Sequence, residues 1–76
     1  MSKREQLYML IIKLGGLQYM HKKANEDVGW NMWEETTLNY MNNYDHSFDE
    51  ALAESMFHIT PDYFLIHCQL DYNKKM

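Results

Sequence analysis

The chain has 76 residues, 46% of them hydrophobic, and a formal net charge of -4. Such a length allows one domain that buries about 60–65% of its unfolded surface, with little room for an enclosed substrate cavity, so no enzyme and no cofactor are expected. The single cysteine, Cys68, excludes an intrachain disulfide and a cysteine-built zinc site and suits a reduced, cytoplasmic protein.

The first predicted element covers residues 3–24. Ser2 and Glu5 fit a capping box, each side chain satisfying the other residue's free backbone N–H. Leu7, Leu10, Ile11, Leu14, Leu17 and His21 fall on one face, and Tyr8, Ile12, Gly15, Gly16 and Tyr19 on the other. A helix apolar nearly all round is buried on more than one side. It is therefore expected either as the central helix or as a homodimer face through Tyr8, Ile12, Gly15, Gly16 and Tyr19. Gly15-Gly16 reads as a break into two shorter helices or as a point of close approach, since each glycine costs about 1 kcal/mol relative to alanine within a helix. Lys3 and Arg4 before an apolar run faintly resemble a signal peptide. Glu5, Lys13 and the lack of a small-residue cleavage site count against one, and Leu7–Leu17 is too short to span a bilayer. No membrane partner is expected.

The second element is predicted at residues 32–43, with Trp33, Thr37, Tyr40 and Tyr44 inward, Asn31 and Glu34 as a loose capping pair and Trp30 as a staple before the cap. The third, residues 48–58, opens on a Ser47–Glu50 capping box. It turns Phe48, Leu52, Ser55 and Ile59 inward and Asp49, Glu50, Ala53, Glu54 and Phe57 outward. The fourth, residues 61–72, starts at Thr60-Pro61, a cap followed by proline at the first helical position. Its apolar run also has strand character, but no partner strand is evident, which favours a helix. The expectation is an all-α single domain, residues 1–76, of about four helices with the first one central.

Residues 50–70 carry the clearest motif. Ala51-Leu52-Ala53-Glu54 leads through Met56, His58 and Ile59 to Thr60-Pro61-Asp62-Tyr63-Phe64. This resembles the two DNA-reading helices of bacterial arabinose-regulator-type domains, and the resemblance implies a small helix-turn-helix DNA-binding regulator. The sequence departs from that pattern where Phe57 stands near the usual turn glycine. Its reading helix also carries Asp62, Asp71, His67 and Gln69 and no lysine or arginine, whereas DNA affinity rests on neutralising phosphates. Other chemistry is less well served. His46, His58, His67 and Cys68 lack the i, i+4 pairing of a helical metal site, and His67 points about 100° away from Cys68 on a helix. No metal site and no catalytic residue are expected.

The charge pattern points elsewhere. No lysine or arginine lies between Lys23 and Lys74, yet that stretch holds every one of the 11 carboxylates except Glu5. Ordinary surfaces intersperse both signs. Glu34, Glu35, Asp45, Asp49, Glu50 and Glu54, with Phe57 as an apolar anchor, are the expected contacts for a protein partner with a basic surface. If that surface is a nucleic-acid groove, the chain acts as a nucleic-acid mimic and binds no nucleic acid itself. In composition it resembles the small acidic inhibitors that phages make against host or defence proteins. A structural subunit of a larger complex is the third expectation.

Overall fold

Among the described residues five helices form where about four were expected: α1 (Lys3–Leu14), α2 (Leu17–Glu26), α3 (Val28–Asn43), α4 (Phe48–Met56) and α5 (Asp62–Lys75). The structure is a computed structural model that describes residues 2–58 and 62–75. The chain is all-α, and no strand occurs among the described residues. The extra helix arises at the glycine pair. Gly16 N–H donates to Ile11 O at 2.8 Å and Gly15 N–H to Ile12 O at 3.3 Å, the paired closure of a Schellman turn. Gly15 has φ 134° and Gly16 φ 65°, conformations that side-chain-bearing residues rarely adopt. The predicted 3–24 helix is thus two helices, and the pair makes a turn rather than a flat contact face.

The break re-phases the apolar pattern. On α1, Leu7 and Ile11 are fully buried, as the spacing predicts. On α2 the buried residues are Tyr19, Met20 and Ala24, while His21, expected on the apolar stripe, is exposed. Asp27 alone joins α2 to α3. Its N–H closes α2 on Lys23 O at 3.0 Å, and its Oδ1 accepts from Gly29 N–H at 2.8 Å to open α3. The helix therefore begins before the expected Asn31 cap, and Trp30 is a core residue, 1% exposed, rather than a staple. Ser2 and Ser47 cap α1 and α4 as expected, accepting from Glu5 N–H and Glu50 N–H. The Thr60-Pro61 cap lies outside the described residues, and the element after it is a helix, not a strand.

Trp30 and Trp33 of α3 lie at the middle of the core, with Phe64 of α5 against both rings at centroid distances of 5.0 and 4.3 Å and Tyr19 of α2 edge-on to Trp30. The first helix lies along α5 and touches α2 and α4, while α3 packs on α2 and α4. Lys3 pairs with Asp62 at 2.9 Å, and Lys13 lies over the Tyr72 ring, so α1 and α5 run side by side in one direction. The Cα radius of gyration, 11.5 Å, equals the roughly 11 Å of a fully packed chain this long.

Candidate interaction surface

The fold divides the carboxylates into engaged and free groups. Asp62 pairs with Lys3, Glu26 and Asp71 with Lys23, and Asp27 caps α3 while accepting from the Tyr63 hydroxyl. Glu34 is largely buried, with His21 Nδ1 2.5 Å from its Oε2. That contact lacks hydrogen-bond geometry, so Oε2 is buried without a hydrogen-bond partner among the described residues. Glu50 pairs with His46 at 3.1 Å. Glu35, Asp45, Asp49 and Glu54 remain, with Glu5 in the first turn of α1. All are exposed, and none makes an ion pair or a side-chain hydrogen bond among the described residues. Glu34 is thereby withdrawn from the expected contact surface, and Glu50 is shared with a histidine.

Two patches present what is left. On α4, Asp49, Glu50, Ala53, Glu54 and Phe57 face solvent together, because spacings of three and four put them on one side of a helix. Phe57 is 64% exposed. Its ring borders a groove of about 420 Å³ between α4 and α1, lined by Ser2, Arg4, Glu5, Tyr8, Met9, Ala53 and Met56 as well. The Arg4 guanidinium lies 5.5 Å from the Phe57 ring centroid, a cation–π contact across the mouth. On α3, Glu35 lines a second hollow with Met32, Thr36 and Asn39. Asp45 stands in the α3–α4 turn, where φ is 55°, a left-handed position that aspartate tolerates.

The cations gather elsewhere. Lys22 and Lys23 at the end of α2 and Lys74 and Lys75 at the end of α5 line one hollow, although the two pairs are far apart in sequence. Asp71 brings them together. It accepts from Tyr19 OH and from Lys23 Nζ, each at 2.6 Å. Burial pushes the Asp71 carboxyl up, but the bonds from Lys23 and Tyr19 outweigh it and hold the group below the usual carboxylate range. Burial lowers Lys23, and Asp71 together with Glu26 raises it by more. Burial, with the Asp71 bond, raises Tyr19, and burial pushes the Cys68 thiol up to about 12. A thiol so held is a poor nucleophile at neutral pH.

The expected self-association face does not survive as a unit. Tyr19 is 8% exposed and belongs to the core, and Gly16 lies against the Phe48 ring. Ile12 and Gly15 are exposed, and Tyr8 is half-buried beside the α1–α4 groove. The helix-turn-helix resemblance falls on α4 and α5, whose turn lies outside the described residues. Each packs mainly on another helix, α4 on α3 and α5 on α1, rather than on the other. His58 bonds Tyr40 OH at 2.8 Å, His46 pairs with Glu50, and His67 lies against the Tyr63 ring. No group of three metal-ligating side chains comes together among the described residues. No described helix is long and apolar enough to cross a membrane.

The α1–α4 groove was not legible in the sequence. Phe57 was, from its outward place on α4, but the residues opposite it come from the other end of the chain. Comparisons with protein-family profiles, curated proteins and solved structures find no match to this chain.

Proposed function

We propose that this chain is a binding module that docks on a basic surface of a partner protein and inhibits or modulates it. The observation that carries the reading is the set of exposed carboxylates between Lys23 and Lys74 that make no ion pair among the described residues: Glu35, Asp45, Asp49 and Glu54. Helix capping does not account for them all. Asp49 lies in the first turn of α4, where the dipole favours it, but Glu35 and Glu54 lie beyond any first turn. Exposed Phe57 and Met32 beside them supply the apolar anchors that concentrate binding energy at interfaces. Where the partner's basic surface is itself a nucleic-acid groove, docking blocks the nucleic acid.

The test is a pull-down from extracts of the cells that make the protein, comparing the native chain with a Glu35→Lys/Asp49→Lys/Glu54→Lys variant. The native chain is expected to capture a basic protein, less of it as salt is raised beyond about 0.1 M, where the Debye length is ~10 Å. The variant is expected to lose that capture while its helical circular dichroism stays unchanged, because all three side chains are exposed. Capture that survives the reversal would sink the acidic-surface reading.

A further inference from the structure

We infer that the groove between α1 and α4 takes the apolar face of a basic amphipathic helix from the partner protein. The inference rests on the function proposed above and names the form in which the basic surface arrives. The groove floor is apolar, made by Tyr8, Met9, Ala53 and Met56, with Phe57 forming one wall. Its α1 side follows the chain from Ser2 to Met9, seven residue steps or about two turns, which matches two turns of an incoming helix. Recognition of this kind reads apolar anchors at i, i+3, i+4 and i+7.

Charge selects the occupant. Glu50 and Glu54 do not line the groove but are exposed on α4 seven and three residues before Phe57, a helical spacing that puts them on its outer flank, and Glu5 lines the α1 side. Among the described residues the one cation lining the groove, Arg4, lies over the Phe57 ring. An incoming helix therefore meets an apolar strip bordered by carboxylates, and lysines or arginines beside its own apolar stripe complete the match. A second copy of this chain meets no such match. A two-fold contact brings the same patch from both copies, each with Glu5, Glu50 and Glu54 and only Arg4 to face them, so carboxylates outnumber cations across it.

The test uses two synthetic peptides of about 18 leucines and lysines, measured by fluorescence anisotropy against the native chain. In one, leucine falls at i, i+3, i+4 and i+7. The other has the same composition with leucine spread round the helix. The amphipathic peptide is expected to bind about tenfold more tightly or better, and Phe57→Ala is expected to erase that preference without loss of helical signal. Equal binding of the two peptides, with loss of both in the Glu35→Lys/Asp49→Lys/Glu54→Lys variant, overturns the groove while leaving the acidic-surface reading standing. No binding of either peptide overturns both. A native chain that light scattering finds dimeric, and that Phe57→Ala makes monomeric, assigns the groove to a second copy and overturns the inference.

Discussion

The Ser55 hydroxyl is what lets a tryptophan be buried whole. Trp33 is 1% exposed, and its indole N–H donates to Ser55 Oγ at 2.9 Å. Ser55 in turn donates to Leu52 O at 2.9 Å, and Thr37 donates to Trp33 O at 3.1 Å. Each hydroxyl has one proton, so the 3.2 Å approach of Thr37 and Ser55 is a hydrogen bond only when one of them releases its backbone carbonyl. Ser55→Ala leaves the indole N–H buried with no acceptor and is expected to cost about 1–3 kcal/mol in a urea titration. A loss below about 0.5 kcal/mol would mean that water or Thr37 takes over the bond. The spacing Phe48, Leu52, Ser55 already turned this serine inward in the sequence. Its partner was not legible, because Trp33 reaches it through the packing of α3 on α4.

At the scale of an element, the Gly15-Gly16 turn decides how the first third of the chain folds. The sequence left two readings of the pair, and they make opposite predictions for Gly16→Ala. In a continuous helix alanine stabilises by about 1 kcal/mol. At φ 65° and ψ -130° alanine is strained, and Gly16→Ala is expected to cost about 1–3 kcal/mol. Thermal unfolding should show this as a melting temperature lower by about 4–8 °C per kcal/mol. The cost is backbone strain rather than a clash, since an added Cβ would lie 3.5 Å from the Phe48 ring, an ordinary contact. Four of the five helices were visible as segments with capping signals. The boundary missed was that of α3, where Asp27 caps through Gly29 N–H although it lies only one residue past the end of α2. Helices joined by one residue leave no loop composition to read.

Across the whole molecule, Asp71 ties the two ends of the chain by accepting from Tyr19 and Lys23 of α2. Its folded pKa lies below its unfolded value of about 3.9, so its contribution is present above that pH and is lost as pH falls through the folded value. Lys23 has a raised pKa, so its share holds below about 10.4 and is lost as pH rises beyond that. Between those limits the pair is intact. Asp71→Asn is therefore expected to lower the melting temperature at pH 7 and to flatten the fall seen on going from pH 5 to below pH 4, measured by circular dichroism. An unchanged acid slope would show that Asp71 is not the group responsible. The sequence by itself determined the helical class, the inward stripe of α1, those of α3 at Trp33 and Thr37 and of α4 at Leu52 and Ser55, and the separation of cations from carboxylates; Tyr44, expected inward, is 64% exposed, and Ile59 lies outside the described residues. These follow from helical periodicity and composition, both local properties of the chain. Only the tertiary structure decided which charges are spent and which are free. It withdrew Glu34 to His21 and Asp62 to Lys3, and left Glu35, Asp45, Asp49 and Glu54 in solvent. It also set Arg4 and Met9 opposite Phe57 to form a groove. Such pairings join residues far apart in sequence, and packing distance rather than local pattern chooses them.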